Sequence, residues 1–141
     1  MSLIELSTSI EDMKEYEPLP DGTYRAELQD VSLKANETTP QGFLTCQYRI
    51  SPDQYPADYD AGNAPEGVTV TQGYIALPDA SNRRTVAPFK RFLEALGAKV
   101  EGSQFSIDDL IGNEVQVTIT RGEYNGSLVN NIKYVGPVAV V

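Results

Sequence analysis

The stretch GEYNGSLVNNI, residues 122–132, contains the side chains best suited to binding a ligand. Asn125-Gly126 separates two runs that alternate like strands, and this pair is a strong hairpin signal because both central residues of a type I′ turn have positive φ. Tyr124 directly precedes the turn and Arg121 lies three residues before Tyr124. An aromatic ring at such a tip can stack on a base, and a guanidinium can contact a phosphate. The chemistry indicated is binding of a single-stranded polynucleotide.

Further aromatic and basic side chains occupy outward strand positions or the loops beside them. Basic groups along a groove follow a phosphate backbone, while aromatic rings accept bases of any identity. A solvated surface position is the alternative for each basic residue, and Phe43 and Tyr74 could instead pack under a loop. The candidate nucleic-acid-binding residues are Arg25, Lys34, Phe43, Arg49, Tyr74, Arg83, Arg84, Arg121, Tyr124 and Lys133.

Residue content argues against most catalytic and metal-binding sites. The chain has no histidine and one cysteine, Cys46, which removes His-dependent nucleophile systems and the usual zinc sites. Asp58, Asp60 and Asn63 suggest a calcium loop, but Gly62 stands where an oxygen ligand is needed and Thr69 replaces the closing glutamate. A carboxylate-based hydrolase using Asp58 and Asp60 is a weaker alternative, because both acids lie in a predicted loop. We therefore expect no enzyme, no metal and no cofactor.

Charge and hydropathy restrict the class of protein further. The chain has 141 residues, which suits one domain, and a net charge of −9. The charge is −6 over residues 1–30, −4 over residues 31–80 and +1 over residues 81–141. No apolar run approaches the roughly 20 residues of a membrane span, and the acidic start does not resemble a secretory signal. Together with the lone cysteine, these features favour a cytoplasmic protein that is not membrane-bound.

The pattern of elements predicts a mainly β fold. Strands are expected over 23–34, 43–50, 68–77, 114–121 and 127–135, with a helix over 86–97. Switches of apolar parity near Gln29-Asp30 and at Gly73 predict two bulges. Three strands, a helix and two strands give a five-stranded OB-fold-like Greek-key barrel, with one helix between strands three and four. Residues 1–20 are expected to form an acidic arm and residues 21–141 the domain.

Four motifs of the chain resemble those of a protein family. The motifs are Leu19-Pro20-Asp21-Gly22-Thr23-Tyr24-Arg25-Ala26, Leu93-Glu94-Ala95-Leu96-Gly97, Leu110-Ile111-Gly112-Asn113-Glu114-Val115-Gln116-Val117 and Gly126-Ser127-Leu128-Val129-Asn130-Asn131-Ile132. The resemblance extends over most of residues 19–135, to phage-encoded proteins associated with replication and recombination. It implies a non-catalytic single-stranded-DNA-binding protein of the host-cell cytoplasm.

Two further interpretations concern partners. A phage virion or assembly protein could use the same barrel for protein contacts, which the acidic balance and the apolar tail over residues 136–141 favour. The acidic arm could instead mimic a nucleic acid and pair with Arg83 and Arg84. Single-stranded DNA is the expected partner; contacts with other replication or recombination proteins, and self-association, stay open.

Overall fold

A computed structural model describes residues 2–13, 15–98 and 102–138, and its fold is mainly β. The five strands are β1 (Gly22–Lys34), β2 (Phe43–Ile50), β3 (Val68–Ala76), β4 (Glu114–Tyr124) and β5 (Ser127–Gly136). Helix α1 (Val86–Ala95) lies between β3 and β4 in the sequence. Short 3₁₀ turns cover Ile10–Asp12, Pro52–Gln54, Ala61–Asn63 and Arg83–Thr85. The prediction of five strands and a helix between the third and fourth is confirmed.

Strand β1 organises the sheet because it pairs on both sides. Its first half, residues 22–27, is antiparallel to β4, and residues 27–34 are antiparallel to β2. The register shifts between Leu28 and Asp30, which leaves Gln29 as the extra residue of a bulge, as predicted. A bulge bends the strand and increases its twist. The order across the sheet is β3-β2-β1-β4-β5, so β3 and β5 are its two edges.

The core is formed by alternate strand residues and one face of α1. On β2, Leu44, Cys46, Tyr48 and Ile50 are buried, as the period of two predicts. The same alternation buries inward residues of β1 and β4, and helical spacing buries those of α1. These further core residues are Tyr24, Ala26, Leu28, Val115, Val117, Ile119, Phe89, Phe92, Leu93 and Leu96.

A second bulge lies between β2 and β3. Leu44 faces Ile75 and Cys46 faces Gln72, so Gly73 and Tyr74 together stand opposite Thr45. The Thr45 hydroxyl donates a hydrogen bond to the Gly73 carbonyl at 3.1 Å. The extra residue returns Ile75 to the core and leaves Tyr74 exposed. The bulge predicted at Gly73 is confirmed.

Residues with positive φ follow helix α1 and form the β4–β5 turn. Gly97 has φ of 73°, and the side-chain amide of Asn113 donates to the Leu96 carbonyl at 3.1 Å. The helix therefore stops at Ala95, two residues before the predicted end. Asn125 and Gly126 have φ values of 51° and 81°, which fit the predicted type I′ turn.

The buried thiol and phenol predict a loss of stability at alkaline pH. Burial raises the pKa of Cys46 from 9.0 to about 12 and the pKa of Tyr59 from 10.0 to about 12. Their neutral forms therefore stabilise the folded state fully below pH 9.0, and this contribution is lost as the pH rises towards 12. We expect the free energy of unfolding, measured by urea denaturation, to fall across this range. Tyr59→Phe should make the fall above pH 10.0 shallower; a flat profile would contradict the prediction.

Candidate nucleic-acid interface

The outer side of β1, β2 and β3, here called the outer face, carries the side chains that alternate with core positions. Residues directly opposite each other on neighbouring strands share a side of the sheet. The register gives four rows of side chains, which differ in aromatic content and charge between the two ends of β2. The rows are Lys34–Phe43–Ala76, Ser32–Thr45, Asp30–Gln47–Thr71 and Glu27–Arg49–Thr69.

One end of the outer face, here called the aromatic end, contains two aromatic rings in contact with each other. The Phe43 and Tyr74 centroids are 4.8 Å apart with an interplanar angle of 35°. Tyr74 is 55% exposed, and its hydroxyl is hydrogen-bonded to the hydroxyl of the buried Thr39 in the β1–β2 loop. This bond fixes the phenol while its ring stays accessible. The rings can therefore offer a pre-positioned surface for stacking.

Two cations lie beside these rings. Lys34 stands opposite Phe43 on β1. Arg84, in the turn before α1, shares with Tyr74 and Gln72 the lining of a shallow cavity of about 360 Å³. Neither Lys34 nor Arg84 forms an ion pair with another residue that the structure describes. The fold thus brings together four predicted site residues, two aromatic and two basic.

The opposite end of the outer face is charged but not basic. Arg25 forms an ion pair with Glu114 at 3.6 Å, and the Arg49 guanidinium donates to the Glu66 carbonyl at 2.7 Å. Both arginines line a cavity of about 260 Å³ that also contains Glu27, Asp53 and Glu114. Three carboxylates therefore surround two guanidinium groups. A phosphate at this end would have to compete with internal partners.

Between the two ends, the outer face is polar and almost uncharged. Ser32, Thr45, Gln47 and Thr71 supply hydroxyl and amide groups, and Asp30 is the one carboxylate in these rows. Nine of the 20 acids lie in residues 1–20 and in loop 51–67, which together contain one base, Lys14. The middle of the outer face therefore carries little charge of either sign.

The donors of Arg121 form hydrogen bonds with other residues of the chain. Its Nη2 donates to Glu17 Oε1 at 3.2 Å and to the Pro18 carbonyl at 2.9 Å, and its Nε donates to the Leu19 carbonyl at 3.2 Å. Its backbone N–H donates to the Asp21 carboxylate at 2.6 Å. The guanidinium that the sequence suggested for a phosphate instead fixes residues 17–19 against β4.

Asn130 of β5 completes this attachment. Its Oδ1 accepts from the Leu19 N–H and its Nδ2 donates to the Leu19 carbonyl, both at 2.9 Å, so the amide replaces a neighbouring strand. The Tyr59 hydroxyl donates to the Glu17 carbonyl at 2.5 Å. Pro18 and Leu19 are buried. Residues 17–20, here called the anchored segment, thus contribute to the core although the sequence placed them in the arm.

The other predicted residues are dispersed. Tyr124 is exposed beside the hairpin turn, and Lys133 lies on β5 at a register shift opposite Thr118 and Ile119. Arg83 is exposed in the turn before α1. No ion pair among the described residues joins the arm to Arg83 or Arg84.

Loop 51–67 is held by its own hydrogen bonds. The Asp60 carboxylate accepts from the Gly62 N–H at 2.9 Å, and the Asn63 amide donates to the Asp60 carbonyl at 3.0 Å. Within the described residues, no group of three or more acidic or cysteine side chains could hold a metal ion. No helix in the described ranges is long and apolar enough to cross a membrane.

Comparison with known proteins provides no functional assignment. No protein-family model matches the chain, and no curated protein matches it significantly. We therefore infer function from the geometry of the outer face.

The Asn130 amide gives a direct test of the anchored segment. Asn130→Asp keeps the size but places an oxygen against the Leu19 carbonyl, where the amide now donates at 2.9 Å. We expect the free energy of unfolding in urea to fall by about 1–3 kcal/mol. Asn131→Asp, at the exposed neighbouring position, is the control and should change it by less than about 0.5 kcal/mol. Equal effects of the two substitutions would contradict the role given to Asn130.

Proposed function

We propose that the chain is a non-catalytic protein that binds single-stranded DNA on the outer face, starting at the aromatic end. The observation that carries this proposal is the Phe43–Tyr74 ring pair with Lys34 and Arg84 beside it. A role in phage replication or recombination, in the host cytoplasm, is proposed from the motif resemblance alone.

The strand order supports an OB-fold interpretation. In an OB-fold, the first strand pairs with both the second and the fourth, and a helix lies between strands three and four; β1 and α1 have these positions. Oligonucleotides bind to OB-folds on strands two and three, between the loop joining strands one and two and the loop joining strands four and five. The corresponding loops here are residues 35–42 and the turn at Asn125-Gly126.

The physical chemistry of the outer face favours bases over phosphates. Each base stacked on an aromatic ring contributes about 1–3 kcal/mol with little sequence preference. Two cations beside the rings would neutralise only a few phosphates, and the net charge of −9 reduces long-range attraction of a polyanion. We therefore propose weak, salt-sensitive binding that depends mainly on stacking.

A virion or assembly protein is the second candidate. It is favoured by exposed apolar side chains in the arm, where Leu3 and Ile4 are 89% and 87% exposed. Contiguous exposed apolar groups typically mark protein contacts. Binding to nucleic acid would be absent on this alternative.

The ring pair predicts the effect of aromatic substitutions. Tyr74→Ala should lower the affinity for a labelled oligothymidine about tenfold, because one stacking surface is lost. Tyr74→Phe keeps the ring and should retain most of the affinity. Tyr134→Ala removes a tyrosine of similar exposure, 61%, from β5 and serves as the control. Fluorescence anisotropy at low salt is the measurement; no binding by the unmodified protein, as monomer or oligomer, would reject the proposed function.

The two cations predict a change in salt dependence. Each phosphate contact to a single strand contributes about −0.7 to the slope of log affinity against log salt concentration. Replacing both Lys34 and Arg84 by alanine should therefore make the slope less negative by about 1.4. Arg91→Ala, an exposed position on α1, is the control and should leave the slope unchanged. An unchanged slope in the double variant would show that these cations do not contact phosphates.

A further inference from the structure

The arm exposes a series of apolar side chains. Within the twelve residues 2–13, the exposed aliphatic side chains are Leu3, Ile4, Leu6 and Ile10. The same residues include three acids and no base, which gives a charge of −3. An apolar and acidic segment of this kind is suited to a groove with an apolar floor and basic margins.

A groove of this kind lies beside α1. Its volume is about 430 Å³, and it is lined by Leu77, Val86, Phe89, Lys90, Leu93 and Phe105. Phe105 packs edge-on against Phe89 with ring centroids 5.3 Å apart, yet it is 42% exposed. Sites of about 300–1,000 Å³ hold ligands with several apolar groups, so two or three aliphatic side chains would fit.

The charges of the two surfaces are complementary. Residues 83–95, which form α1 and the turn before it, carry four basic side chains and one acid, a charge of +3. Lys90 lines the groove itself. At the start of the arm, the acid Glu5 separates Ile4 from Leu6. Such a segment could bury its aliphatic groups while its carboxylates stay near the groove margin.

The single chain leaves both surfaces uncovered. Arg121 and Asn130 hold residues 17–19 near the end of β4. The arm before this segment keeps its apolar residues exposed, and the α1 groove remains open. A second copy can therefore supply to each surface the partner that it lacks.

We propose that Leu3, Ile4 and Leu6 of one copy occupy the α1 groove of a second copy, with the acids of the arm facing Lys90 and its basic neighbours. The contact is head-to-tail in character, because the arm and the groove are different surfaces. It closes into a dimer if two copies exchange arms reciprocally, and into a ring or chain otherwise. Its apolar contacts do not involve Phe43 or Tyr74, the ring pair that carries the proposed DNA binding.

The first test is sedimentation velocity of the full chain across the micromolar range. We expect reversible association whose dissociation constant rises at least about tenfold in Leu3→Ser/Ile4→Ser and in Phe105→Ser, because each removes buried apolar area. Ile111→Ser, at an apolar position of similar exposure, 40%, outside the groove, is the control. If circular dichroism shows Phe105→Ser unfolded, Lys90→Glu replaces it as the groove variant.

Mixing separates this contact from other modes of association. Neither the arm variant nor the groove variant should associate alone at a concentration where the unmodified chain does. An equal mixture should associate, because one intact arm then meets one intact groove. The proposal is overturned if the unmodified chain stays monomeric, if association is insensitive to both variants, or if the mixture fails to associate.

Discussion

The fold depends on one strand satisfying two partners, because β1 pairs with β4 over its first half and with β2 over its second. The extra residue at Gln29 makes this possible. Tyr24, Ala26 and Leu28 point inward before it, and Val31 is partly buried after it, so the apolar side changes parity without leaving the core. A one-residue change in register otherwise moves every following side chain to the opposite side of a strand. Within the described sheet, β3 pairs only with β2, and β5 pairs only with β4. The bend in β1 therefore sets the positions of both edge strands.

Two polar residues then link the arm to the sheet, and one of them, Arg121, uses its cationic group for this link. Arg121 and Asn130 direct their hydrogen bonds to the anchored segment, which places Leu19 in the core. The cation nearest the hairpin is thereby occupied, and the arginines at the charged end of the outer face have acidic or carbonyl partners. Lys34 and Arg84 are left beside the aromatic rings. The hydrogen bonding that completes the fold therefore also favours the aromatic end of the outer face over the hairpin as the place for a ligand.

Apolar alternation and turn residues in the sequence predict most of the strands, bulges and turns, but only part of the candidate site. The bounds of β2, the two bulges and the Asn125-Gly126 turn follow from alternation and turn chemistry within a few residues. The partners of Arg121 do not, because Leu19 is 102 positions away in sequence and no local rule selects it. The outward direction of Arg25 and Arg49 was predictable from parity. Their partners are the Glu114 carboxylate and the Glu66 backbone carbonyl, whose positions are set by strand register and loop path. Likewise, Arg84 and Tyr74 line the same cavity because β3 with the second bulge lies beside the turn before α1.

The burial of Cys46 has a practical consequence for work on this molecule. Its side chain is 0% exposed between core positions of β2, and it is the only thiol in the chain. Because thiolates rather than thiols are the reactive species, a buried thiol with a raised pKa reacts slowly with maleimides. A cysteine introduced at the surface would therefore be modified selectively without removing the native one. Spectroscopic reporters can thus be attached singly to the arm or beside α1 while the native core packing is retained.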